Sequence, residues 1–600
     1  MKQKFLSILS GLLFSAIVVN AQDATTYRGA FAPAPVPMWT DNWTNWDPQN
    51  TYYPAATVTL PSGTILSGSV TWTRNNTYKL QGLVFVDSLA TLTIEAGTVI
   101  RGDETVANSS LVVQRGGKLI ANGTACNPIV FTSNRPIGSR AKADWGGVIL
   151  LGRAKHNLGT QNAIEGVSST DPNFSRVFHG GTNDADNSGS LKYVRIEFGG
   201  YVFAPNSEIN GLTFGSVGSG TTIDFVQTSF INDDAFEWFG GSVNCKHLVS
   251  YRNLDDDLDT DNGFSGIVQY ALCVRDPAIS DDPAISTSEG FESDNNATGS
   301  TATPKTTGKF YNITQIGAFR CANNAGGITQ PSAVGFRRGA RIRRNSELKI
   351  YNSILMNNWR GLIVDATIPL AAAEFRNNII AMDTTIAFTG TYAGVARIGE
   401  DALSTNWLYT AAYTNTAIST PCDVLVNAWD FLNPDYRPNG FGSGGAIAGT
   451  DLSPLVEIDN GLFSANQGQD FLVDIIENAI GNSNGTITVS IPKPSGWTIT
   501  VPGLTLTAVN QSGSNTTSNV SGGTLNSNGN WNFRDNGTNI LATSKAGISI
   551  SQGGFVQLGF RATRKAVTPN GTNQSLAVDL SGGGDNEPNN NGTVITLSAN

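Results

Sequence analysis

The acidic run from residue 230 to 266, FINDDAFEWFGGSVNCKHLVSYRNLDDDLDTDNGFSG, holds eight carboxylates: Asp233, Asp234, Glu237, Asp255, Asp256, Asp257, Asp259 and Asp261. Only 14% of the chain is charged, so the run is a local concentration, not a property of the whole surface. Alternating carboxylates in a tight loop can converge on one hard cation, because Ca²⁺ takes about six to eight oxygen ligands in flexible geometry. Asp255, Asp257, Asp259 and Asp261 are therefore expected Ca²⁺ ligands, and Asp184 with Asp186 in DADNSG forms a second candidate set. The main run is not an EF-hand. Counting from Asp257, Asn262 and Val268 stand where that loop needs Gly and Glu. The plain alternative for both runs is a solvated acidic loop. Trp238, Tyr251 and the downstream Trp359 are the aromatic side chains expected to hold a substrate beside the carboxylates.

These side chains need a scaffold, and the surrounding sequence is repetitive. TLTIEAGTVIRGD (91 to 103), SLVVQRGGKLIANGTACNPIVFTS (110 to 133) and DWGGVILLGRA (144 to 154) are short β-rich runs punctuated by Gly or Asn, and the theme continues to AEFRNNIIAM (373 to 382). Phe225 to Leu248 is 23 residues, close to one turn of a parallel β-helix. Short strands at that period describe a solenoid whose coils stack apolar side chains inward. On such a stack, residues one coil apart lie about 4.8 Å from each other. A 23-residue period places Asp233 and Asp234 against Asp256 and Asp257, with Glu289, Glu292 and Asp294 of EGFESDNN as an extension. Carboxylates that close repel unless a cation or a shared proton intervenes, so the face is a metal site or an acid/base site with raised pKa values. An inverting glycosidase using two of these carboxylates is one chemistry such a face could serve.

The segments LTIEAGTVIRGD, LVVQRGGKLIANGT, PIVFTS, DWGGVILLGRA, DDAFEWFGGSVN, LDDDLDTDNGFSG and GFESDN together resemble right-handed parallel β-helix proteins of the pectin-lyase-like type. In detail they are similar to a group of exported Bacteroidota proteins of unassigned activity. The resemblance implies the fold over residues 67 to 438 and an exported protein. In β-helix polysaccharide lyases, stacked carboxylates hold a Ca²⁺ that neutralises a uronate, and a nearby Arg or Lys removes the adjacent proton. GFRRGARIRRN supplies Arg337, Arg338, Arg341, Arg343 and Arg344. The catalytic candidates on that reading are Asp233, Asp234 and Asp256 with Arg338 and Arg341. An ion-pair ladder between the two clusters is the structural alternative. The preferred reading is a non-catalytic binding or structural protein, glycan-binding with structural Ca²⁺; a calcium-dependent lyase or glycosidase acting on acidic polysaccharide is the second.

The rest of the chain bounds these readings. MKQKFLSILSGLLFSAIVVNAQ reads as a signal peptide over residues 1 to 21, which predicts a secreted or outer-surface protein. No later run is long and apolar enough to span a membrane. A net charge of −10 argues against nucleic acid, whose phosphates would be repelled. Residues 22 to 66 are rich in Pro and aromatics, and Trp39, Trp43, Trp46, Tyr52 and Tyr53 are expected to cap the open end of the solenoid or to form a sugar platform. Residues 439 to 467 open Gly- and Ser-rich and read as a linker. Residues 468 to 600 alternate strands with Asn, Gly and Ser turns, the pattern of an immunoglobulin-like β-sandwich. The fold class is therefore all-β: a right-handed parallel β-helix followed by a β-sandwich. Five widely spaced cysteines without a CxxC pair predict buried thiols, with Cys245–Cys273 the one bond considered.

Overall fold

The computed structural model describes residues 22–381 except 24, 205–206, 284–285, 322–327, 330, 333–334 and 365–372. Of residues 414–600 it describes all but 419–420, 432–433, 440–451, 459–460, 478–482, 484, 503–510, 513–525, 551–554 and 584–591. The leader and part of the expected linker therefore lie outside the described residues. Among those described, the chain is all β, with single 3-10 turns such as Phe174–Arg176 and no α-helix.

Two parallel sheets, of ten and seventeen strands, wind around one apolar interior. The ten-stranded sheet takes one strand from each coil, from Thr64–Leu66 to Arg360–Val364. In its strand Phe236–Phe239, Phe236 and Trp238 point into the core while Glu237 and Phe239 point out, the period-2 alternation of a pleated strand. Phe236 pairs with Leu258, 22 residues on, and Arg338 with Arg360, again 22. Longer intervals mark excursions: Val148 pairs with Leu212, and Glu292 with Arg341.

The seventeen-stranded sheet folds along a column of left-handed residues. Tyr193, Phe225, His247, Tyr270 and Asn312 have φ between 50° and 63° and interrupt the register of long strands such as Thr222–Ser229 and Asn244–Tyr251. That conformation is costly away from glycine. Ring stacking offsets the cost: Tyr193 lies 4.4 Å from Phe225, Phe225 4.2 Å from His247, and His247 4.9 Å from Tyr270. The bend gives each coil a third face. Asn352 and Asn377 continue the left-handed conformation beyond Asn312, a residue type that tolerates it.

The aromatic N-terminus does not cap an end. Residues 28–54 run along the outside of the seventeen-stranded sheet as a strap. At one end the Gly29 amide donates to the Asn352 carbonyl at 2.7 Å; at the other, the Arg101 guanidinium donates to the carbonyls of Tyr53 and Pro54. Between them Trp43, 2% exposed, packs edge-on against Tyr193 and Phe225, and Trp46 against Tyr251. The cause is an outward apolar row, Val249, Leu272, Ile316, Ile354 and Ile379, that would otherwise face water. Tyr52, 76% exposed, is the only one of the five expected aromatics not drawn into the protein.

Residues 452–600 form an antiparallel four-stranded sheet and a seven-stranded sheet around a second apolar core that includes Phe471, Val489, Phe533 and Leu576. An immunoglobulin constant domain pairs sheets of about four and three strands. Here the larger sheet has seven and includes a parallel pair, Leu462–Phe463 with Gly592–Ala599.

Cys321 and Cys422 form a disulfide, a pair the sequence did not single out. Cys245 and Cys273 are buried free thiols. They stand opposite Val268 and Ser250 respectively, so the register never brings them together.

Candidate metal centre

The carboxylates of three successive coils project from the outer face of the ten-stranded sheet. Strands Phe236–Phe239, Leu258–Asp261 and Phe291–Ser293 pair so that Glu237, Asp259 and Glu292 form one row. In the turns entering the first two strands, Asp234 faces Asp256 and Asp233 faces Asp255. The coil is 22 residues here, one fewer than the spacing that would stack Asp257 on Asp234. A one-residue shift turns a side chain to the other face. Asp257 accordingly points inward, where it accepts from Arg275 at 3.2 Å, both side chains being fully buried. It is a structural ion pair, not a ligand.

Three overlapping sets of carboxylate oxygens lie within 4.8 Å of one another: Asp233, Asp234 and Asp255; Asp234, Glu237 and Asp259; Asp256, Asp259 and Glu292. Among the described residues no Lys or Arg pairs with any of these except Glu292, which takes Arg341 and Arg343. At that separation two unit charges repel by roughly 3 to 4 kcal/mol at an effective dielectric of about 20. Burial, and then the neighbouring negative charges, push the pKa values of Asp233, Asp234, Glu237, Asp256 and Asp259 well above the carboxylate range. Burial and the charges of Asp281 and Glu292 push Asp255 up to about 8. A fully ionised ledge is therefore unfavourable unless a cation occupies it.

Internal hydrogen bonds satisfy only part of the ledge. The Asp256 amide donates to Asp234 Oδ1 at 2.8 Å, and Asn210 Nδ2 donates to Glu237. Buried oxygens remain without partners: Asp255 Oδ1, Asp259 Oδ1, Asn210 Oδ1 and Thr213 Oγ1. Asn210 and Thr213, on the preceding coil, are 0% and 2% exposed. The donor set is all oxygen, which fits a hard divalent cation such as Ca²⁺ and not a nitrogen- or sulfur-seeking metal.

Excursions add charge that sequence spacing could not reveal. Glu165, from the loop between the coils of Val148 and Leu212, hydrogen bonds Glu237, and burial pushes its pKa up to about 7. Glu208 and Asp281 add to the negative potential at Asp233. Their sequence neighbourhoods carry no metal-ligand pattern.

Other expected site residues lie elsewhere. Asp261 faces Asp294, with Arg343 and Arg344 nearby; burial and Asp294 push it up to about 7. Asp184 pairs with Lys155, and Asp186 accepts the Arg153 amide at 3.1 Å, so each is already engaged; among the described residues this run joins no three-ligand set. Trp238 is 0% exposed, stacked between Phe214 and Phe264 in the core, and Tyr251 is buried under the strap; neither offers a face to a ligand. Trp359 packs edge-on against Phe319, just ahead of a strand two coils beyond Glu292. Arg338, 2% exposed, is ion-paired with Glu289, and Arg341 with Glu292, as in the ladder alternative.

Residues 63–424 match the family described as Pectate-lyase like beta helix domain, over more than half of the chain. The chain belongs to that family. Comparison of this pectate-lyase-like β-helix protein with curated proteins gave no match. Among solved structures it is similar to the Dettilon tailspike protein, at 9% identity, 83% coverage of this chain, 87% of that chain and a TM-score of 0.17. It is also similar to tailspike protein 2 of Escherichia coli O157:H7 bacteriophage CAB120, at 10% identity, 87% and 64% coverage and a TM-score of 0.21. Similarity at that TM-score carries no argument about function. Among the described residues, no helix is long and apolar enough to cross a membrane.

Proposed function

We propose that this chain is an exported Bacteroidota β-helix protein, secreted or held at the outer surface, that binds polysaccharide without cleaving it. Ca²⁺ staples its central coils. The observation that carries the staple is the set of three interlocking carboxylate triads with unpartnered buried oxygens and, apart from Glu292, no compensating cationic side chain. Ca²⁺ would be held by Asp234, Glu237 and Asp259 with Asp233, Asp255 and Asp256 around them, and it would supply the charge that lets these groups ionise together. The leader sequence and the disulfide fit an oxidising, extracytoplasmic compartment. The C-terminal β-domain serves as an immunoglobulin-like spacer or adhesive module. Two observations weigh against catalysis: the ledge is largely covered, and Arg338 is buried in an ion pair and is not placed as a base.

The test is calcium titration by calorimetry on the mature chain, with Asp234→Asn/Asp259→Asn as the comparison. Binding lost in the double variant supports the staple, and wild-type protein that takes up no calcium ends it. An ultraviolet assay for unsaturated uronate on pectic and alginate substrates runs alongside. Product that disappears with chelator would replace the non-catalytic reading with a lyase.

A further inference from the structure

A second polar site lies on the N-terminal coils, away from the carboxylate ledge. After each of three successive strands of the ten-stranded sheet, Leu83–Val86, Ser110–Val113 and Val148–Leu151, the chain turns through Ser88, Arg115 and Arg153 in consecutive coils. The excursion that follows Arg153 folds back over these turns and is pinned by the pairing of Asn162 with His179 and Ala163 with Phe178. Between turns and excursion lies a cavity of about 330 Å³, open on one side, lined by Arg115, Arg176, Gln114, Gln161, Phe178 and serines.

Its charge balance is positive. Arg176 is neutralised by Asp87 at 3.1 Å. Among the described residues no carboxylate pairs with Arg115. It is held in place by neutral oxygens, donating to the Gly180 carbonyl at 3.0 Å and to the Gln161 carboxamide oxygen. Arg153, likewise without an ion pair among the described residues, lies over Gly116, which has φ +92° and whose missing side chain leaves room for the guanidinium. A Cβ there would fall 2.1 Å from Arg153 Nη2.

We propose that this cavity binds a carboxylate-bearing sugar unit, a hexuronic acid within an acidic polysaccharide. The positive arginines select an anion. Gln114, Gln161 and the serines supply the neutral donors and acceptors that hydroxyl groups need, and the half-buried Phe178 offers an aromatic surface to a sugar ring. The volume far exceeds the roughly 30 Å³ share of a single water, so a bare inorganic ion would leave it unfilled. It falls at the lower end of the range of about 300 to 1,000 Å³ typical of small-ligand sites. The proposal rests on the polysaccharide-binding reading above and names where, and by what chemistry, the sugar is held.

The experiment is calorimetry of the mature chain with trigalacturonate and with its fully methyl-esterified form, in excess chelator so that the ledge takes no part. The acid should bind at least tenfold tighter than the ester. Arg115→Gln should weaken it at least tenfold and Phe178→Ala severalfold, in variants whose circular dichroism and melting match the parent. Asp234→Asn/Asp259→Asn should leave chelated binding unchanged. Equal affinity for acid and ester, unaltered binding by Arg115→Gln, or full competition by an equal concentration of sulfate would each overturn the assignment. If Arg115→Gln binds normally, the pocket fails while polysaccharide binding stands. If wild type binds neither oligosaccharide, with chelator or with calcium, both fail.

Discussion

Asp256 and Asp257 are adjacent in sequence and opposite in role, and separate substitutions distinguish them. Asp257→Ala leaves Arg275 buried and unpaired, a loss expected at about 3 to 5 kcal/mol, measured by denaturant unfolding. Asp256→Asn removes one of several crowded negative charges. It should leave the chelated protein as stable as wild type or more so, and weaken calcium binding about tenfold in titration. Trp238→Ala should cost about 3 to 5 kcal/mol through a core cavity. In folded protein it should not change saccharide affinity, because the ring faces the interior. The ledge also sets a pH dependence. Its folded-state pKa values lie above the unfolded ones, so its contribution to stability is complete at low pH and lost as pH rises through the folded values, about 7 for Asp261 and about 8 for Asp255. With chelator present, the melting temperature should fall from pH 5 to pH 8. Saturating calcium should oppose that fall, adding about 2.7 kcal/mol at a hundred times its Kd. A melting temperature independent of calcium throughout that range would contradict the staple.

Among the elements, the strap and the disulfide hold the seventeen-stranded sheet from outside. Trp43 is buried against the left-handed column, so Trp43→Ala should cost about 3 to 5 kcal/mol in a denaturant melt. Protection from amide exchange should drop along Thr222–Ser229 and Asn244–Tyr251, the strands beneath it. Strand existence and period were legible from the alternation of residues and from the Gly and Asn punctuation. The strap's destination was not. A run of aromatics says that it will be buried, and an exposed solenoid end and an exposed apolar flank offer the same hydrophobic gain.

For the molecule as a whole, two separate apolar cores, one in the β-helix and one in residues 452–600, predict two unfolding events. Truncation before residue 452 should remove one calorimetric transition and leave calcium affinity unchanged. The sequence by itself determined the all-β class, the repetitive parallel coil, the change of texture near residue 450 and the region in which carboxylates would crowd, because composition and periodicity are local properties. Tertiary structure alone decided which carboxylates meet. The coil of 22 residues, not 23, set the face of Asp257, and excursions brought Glu165, Glu208 and Asp281 towards a ledge far from them in sequence. It also decided that Trp238 and Tyr251 are core and strap contacts, and that Arg115 and Arg153 share one edge of the solenoid. Register and long-range return of the chain are settled by the packing of whole coils, which no window of neighbouring residues contains.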